Sequence, residues 1–88
     1  MWYVYRGINY ALGEVYFGVS QDPDRRIDGS HCRGGTKAVS DWECGVDHIR
    51  WWRLSAHRSQ RAATQRAHRL ERTYRHPDGF DVIRTAGI

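Results

Sequence analysis

Residues 15–27 constrain this chain more than any other stretch, because they read as a strand and then, at once, as a helix. Val15, Phe17 and Val19 alternate with Tyr16 and Gly18, the period of a strand with two different faces. Asp22 is an N-cap type, Pro23 suits the first helical position, and Asp24 favours the first turn. Arg25 and Arg26 then fall just inside the helix. Backbone N–H groups at a helix start and the planar fork of arginine both suit a phosphate. The plain alternative is a strand–turn–helix connection with solvated arginines.

The flanking elements follow from similar signals. Trp2, Tyr3, Val4 and Tyr5 are aromatic and β-branched, and predict a strand that pairs with residues 14–19 as an antiparallel hairpin. Tyr5 and Tyr16 are then expected side by side. Residues 6–13, with Gly7, Asn9 and Gly13, read as the turn region between the two strands. The helix from Pro23 should last about two turns, because Gly29 interrupts it. Residues 30–37 read as a polar, glycine-rich loop, and residues 38–42 as a helical turn. Residues 48–55 read as a third strand, with Ile49, Trp51 and Arg53 on one face and Arg50, Trp52 and Leu54 on the other. One face should meet the helices, and the other should be half exposed or meet a partner. Residues 59–75 form the best helix, with Ser59 as its cap and an apolar stripe of Ala63, Ala67, Leu70 and Tyr74. Phe80 to Ile83 reads as a short fourth strand or a packed tail. The expected fold is α/β (α+β): a small mixed, mainly antiparallel sheet of three or four strands with flanking helices. At 88 residues it is read as one domain, 1–88, with a modest core.

Charge narrows the choice of partner. Lys and Arg number 14 against 10 Asp and Glu, and Lys37 is the only lysine. A basic, arginine-dominated surface suits a polyanion. No stretch approaches the roughly 18–20 apolar residues of a membrane span. Cys32 and Cys44 are the only cysteines. The chain opens directly on Trp2 with no apolar leader, so a cytoplasmic protein with reduced thiols is expected.

Between residues 50 and 75 stand Arg50, Arg53, Arg58, Arg61, Arg66, Arg69, Arg72 and Arg75, and a single carboxylate, Glu71. An exposed i,i+4 pair of Glu71 with Arg75 would contribute only about 0.3–0.5 kcal/mol. The other reading is a metal ligand: Glu71 lies one turn beyond Ala67, at the edge of the buried stripe, where it can point into a cleft.

Taken together the pieces resemble the GIY-YIG nuclease family. Tyr3-Val4-Tyr5 stands in the place of the first motif and Tyr16-Phe17-Gly18 in that of the second. Arg26 falls ten residues after Tyr16, where the family arginine stands, and Ala67-His68-Arg69-Leu70-Glu71 matches the helix that carries the family glutamate. The resemblance covers residues 2–76. It departs in three ways: Tyr3-Val4 replaces the literal Gly-Ile, the only asparagine is Asn9, and Ser30 stands where a histidine or tyrosine is common. His31 follows by one, and a bulge at Gly29 would bring it into place.

The resemblance implies a metal-dependent endonuclease acting on nucleic acid, DNA ahead of RNA. Glu71 would bind one Mg²⁺ or Mn²⁺ ion, Arg26 would stabilise the phosphate, Tyr5 or Tyr16 would activate water, and His31 would carry a proton. Gly18, Arg25, Lys37, Arg66 and Arg69 are the expected nucleic-acid contacts. A phenol of pKa roughly 10 is a poor base at neutral pH; nearby arginines are expected to lower it. Two rival readings remain: a non-catalytic arginine-rich nucleic-acid binder using an exposed tryptophan, and a zinc module built from His31, Cys32, Cys44 and His48. Oligomeric state is left open.

Overall fold

The computed structural model describes residues 1–29, 31–33 and 35–84, with Lys37 described by its backbone alone. Four strands, β1 (Trp2–Asn9), β2 (Glu14–Ser20), β3 (Ile49–His57) and β4 (Asp81–Val82), form one sheet in the order β3-β1-β2-β4. β1 is central and antiparallel to both neighbours, while β4 runs parallel to β2. Helix α1 (Pro23–Gly29) follows β2, and α2 (Gln60–Thr73) follows β3. Two 3-10 turns, His31–Arg33 and Lys37–Val39, cross between α1 and β3. This is the mixed, mainly antiparallel sheet that the pattern predicts. Among the described residues, no helix is long and apolar enough to cross a membrane.

The hairpin differs from expectation. Residues 6–9, read as turn, continue β1. Gly7 is not a strand breaker here: its missing side chain leaves the space that the Trp51 ring fills. The turn proper is residues 10–13. Buried Asn9 organises it, its Oδ1 accepting from the N–H groups of Ala11 and Leu12 at 3.0 Å each, and Gly13 closes it at φ 68°.

Helix α2 begins as predicted. Ser59 is extended (φ −127°, ψ 152°), and its Oγ accepts from the Ala62 N–H at 3.1 Å. It ends at Thr73 rather than Arg75, because Tyr74 turns extended and packs its ring edge-on against Phe17, 5.5 Å between centroids. Arg75 lies beyond the helix and donates to the carbonyls of Arg72 and Tyr74.

α2 lies on one face of the sheet, its Ala63 and Ala67 packed on Val4, Ile8, Val15 and Phe17. The small alanines let the helix approach closely. The opposite face was expected to be half exposed or to meet a partner. Instead it carries a second cluster of Tyr5, Tyr16, Val39 and Trp42, with Ile27 and Trp51 packed against it. Trp42 pins this covering segment, 3% exposed and donating from Nε1 to Glu14 Oε1 at 2.9 Å.

The expectation of reduced thiols is also corrected. Cys32 and Cys44 form a disulfide with their Cα atoms 5.3 Å apart. Burial of Val39 and Trp42 folds the intervening segment back and brings the two sulfurs together. Those sulfurs are not free as thiolates, which removes the two cysteine ligands of the zinc reading.

Candidate active site

Two glycines make the site possible. On the sheet face away from α2, Tyr5 of β1 sits opposite Gly18 of β2, and Gly7 sits opposite Tyr16. On the other flank Gly7 is opposite Trp51. A Cβ on Gly18 would run into the Tyr5 hydroxyl, and one on Gly7 into the Trp51 ring. Each large ring therefore lies across the neighbouring strand. Tyr5 and Tyr16 are diagonal neighbours, 6.3 Å between ring centroids.

His31 fills the space above them. It is fully buried, and a 2.5 Å hydrogen bond joins its Nε2 to the Tyr5 hydroxyl. Trp51 stacks on its ring (5.4 Å, 11°), and Tyr16 meets it edge-on at 5.1 Å. Its Nδ1 is buried with no hydrogen-bond partner among the described residues.

Strand β4 pairs only with Glu14 and Val15, so beyond them β2 faces a cleft rather than another strand. This cleft, of about 140 Å³, is lined by Tyr5, Tyr16 and Gly18 from the sheet, Arg26 from α1, and Gln60, Thr64 and Ala67 from α2. Arg26 reaches it because Asp22 starts α1 where expected: the Arg25 N–H donates to Asp22 Oδ1 at 3.3 Å, and the Arg26 N–H to the Asp22 carbonyl at 3.1 Å. Glu71, one helical turn beyond Ala67, is 5% exposed, and its charge acts on the Tyr16 hydroxyl.

Electrostatics reverse one expectation. Arg26 does favour the ionised form of both tyrosines, but burial outweighs it. Tyr5 is pushed well above the usual phenol range, first by burial and then by Tyr16. Tyr16 is also raised, by burial first. Burial, with the nearby Arg26 charge, brings His31 down to about 4. At neutral pH both phenols keep their protons, and His31 is a neutral imidazole.

The structure thus brings Tyr5, Tyr16 and Arg26 around one cleft, with His31 buried behind Tyr5 and the Glu71 charge acting on Tyr16. Gly18 lines the cleft and makes room for Tyr5. Arg25 is exposed on α1, in a groove next to the cleft. Arg66 and Arg69 are exposed on α2 and do not line the cleft. Ser30 and the Lys37 side chain lie outside the described residues. His31, one position late in the sequence, takes its place at the start of a 3-10 turn.

Sequence reasoning missed Trp51, Gln60 and Thr64. The signal for the last two was present: Gln60, Thr64, Ala67 and Glu71 recur at 4, 3 and 4 residues and so share one face of α2. No tryptophan among the described residues is fully exposed: Trp2, Trp51 and Trp52 are half-buried and Trp42 is buried. Trp51 lies within the site cluster, and Trp52 sits under the Arg6 guanidinium at 4.4 Å.

One hard carboxylate beside an arginine-bearing cleft fits Mg²⁺ or Mn²⁺, which are commonly held by one or two carboxylates together with substrate phosphates and water. Among the described residues, no group of three or more His, Cys, Asp or Glu side chains is gathered to hold an ion by itself.

The family model of the GIY-YIG catalytic domain aligns with residues 1–76. No curated protein and no solved structure matches the chain.

Proposed function

The chain belongs to the GIY-YIG nuclease family, and from that premise we propose that it is a metal-dependent endonuclease hydrolysing phosphodiester bonds, in DNA ahead of RNA. The observation that carries the reading is the cleft where Arg26 meets Tyr16 and Tyr5, the latter hydrogen-bonded to buried His31.

Phosphodiester hydrolysis needs a deprotonated water, charge neutralisation on the phosphate, and stabilisation of the leaving oxygen. Arg26 holds the phosphate at the mouth of the cleft and stabilises its charge as it grows. Tyr5 orients the attacking water, and His31 holds the Tyr5 hydroxyl in place through their hydrogen bond. Burial keeps Tyr5 protonated and leaves His31 a weak base, so both serve to position the water. Tyr16, beside Tyr5 on the same sheet face, helps orient the water. Glu71 would hold the divalent cation, which supplies positive charge to the phosphate and the leaving oxygen.

The test is nicking of supercoiled plasmid with Mg²⁺ or Mn²⁺ and with chelator. Cleavage should require the ion. Arg26→Ala should abolish it while weakening binding modestly, lowering the salt slope on duplex DNA by about 0.9. Cleavage undiminished in Arg26→Ala would remove the proposed phosphate contact.

A further inference from the structure

Beside the catalytic cleft runs a second hollow, a groove of about 680 Å³. It is continuous with the cleft, since Val19, Arg26 and Gln60 line both. Its size falls within the roughly 300–1,000 Å³ of small-ligand sites. Trp2 forms part of its wall. That indole also packs against the core cluster under α2, so it is held in place rather than loose. Ser20, Gln21 and Gln60 add hydroxyl and amide groups, and Arg25 adds a guanidinium one residue before Arg26. Asp22 also lines the groove, but its Oδ1 is engaged by the Arg25 backbone N–H.

We propose that this groove takes one unpaired nucleotide of the substrate strand, next to the phosphate held at Arg26, with its base stacked on Trp2 and the following phosphate at Arg25. The proposal rests on the nuclease reading and adds a substrate class to it. Three features select a nucleotide. The groove opens directly onto the phosphate site. An indole face accepts any base, because every base has a π face. Side-chain amides and a hydroxyl can pair with donors and acceptors on a base edge alike. A base within a duplex is already stacked and paired, and is not free to lie on Trp2. Strands that are single, looped or frayed at the cut are therefore favoured over continuous duplex.

The test is binding without cleavage, by fluorescence anisotropy in chelator, of a labelled single-stranded DNA oligonucleotide, its RNA counterpart and the DNA duplex. Wild type should bind the single strands more tightly than the duplex. Trp2→Leu should weaken single-strand binding by about 5- to 100-fold, and Trp2→Phe should recover most of it. Circular dichroism checks that both variants are folded. An abasic residue walked along the strand should cost wild type most at one position and cost Trp2→Leu nothing further there, a coupling that misfolding does not produce. Folded Trp2→Leu binding single strands as wild type does would overturn the groove. So would a wild type that prefers duplex. If plasmid is nicked while either result holds, the groove fails and the nuclease reading stands. If neither strand nor duplex binds at low salt, both fail.

Discussion

Gly18→Ala is the smallest change that should disturb the site, and its sign separates this account from a generic one. In an ordinary strand, replacing glycine by alanine stabilises by about 0.5–1 kcal/mol, since glycine loses more backbone entropy on folding. Here the added methyl would meet the Tyr5 ring and hydroxyl. Tyr5 cannot swing aside cheaply: it is 1% exposed, bonded to His31, and flanked by Tyr16 and Trp51. Overpacking of this kind costs about 1–3 kcal/mol. Breaking the Tyr5–His31 bond leaves buried polar groups unpaired, for about 1–3 kcal/mol more. A net loss of about 3 kcal/mol lowers Tm by roughly 12–24 °C in a domain of this size. Thermal melts by circular dichroism read the loss. The double variant Tyr5→Leu/Gly18→Ala isolates its cause. With the ring gone the methyl has nothing to strike, so the double variant should be more stable than the two single losses summed. A Gly18→Ala protein as stable as wild type, or losses that simply add, would refute the packing of Tyr5 on Gly18.

Stability should also depend on pH through His31. Its folded pKa of about 4 lies below the roughly 6.5 of an unfolded histidine, so between those values the unfolded chain binds the extra proton. Stability is then full above about pH 6.5 and falls toward pH 4, by roughly 3 kcal/mol in urea titrations. His31→Gln should flatten that slope, and an unchanged slope would place the titration elsewhere. Reducing the Cys32–Cys44 disulfide opens a link between residues 12 apart, which should cost about 3 kcal/mol. The Tm should fall with reductant in wild type and be indifferent to it in Cys32→Ser/Cys44→Ser; a wild-type Tm that ignores reductant would contradict the disulfide.

Local signals made the framework legible. The alternation through Val19, the Asp22-Pro23 helix start, the Ser59 cap and the alanine stripe each specify an element by short-range physics, and each stands where expected. Long-range pairing was not legible. Gly7 reads as a turn residue until Trp51, far along the chain, is laid over it. The state of the cysteines depends on how Val39 and Trp42 fold the segment between them. The tyrosines were expected to be acidified by arginine, because sequence shows the charges but not the burial. In the folded protein desolvation outweighs Arg26, and both phenols keep their protons at neutral pH.

Glu71 is where a nuclease and a mere binder of nucleic acid part. The direct measurement is plasmid nicking with Mg²⁺ or Mn²⁺ by wild type and Glu71→Gln side by side, both shown folded by circular dichroism, with affinity measured in parallel. A carboxylate that holds the ion binds it through charge, which the isosteric amide lacks. Cleavage should fall by orders of magnitude, while binding stays level or tightens as a negative charge leaves a basic surface. Equal cleavage by the two folded proteins would contradict the proposed site.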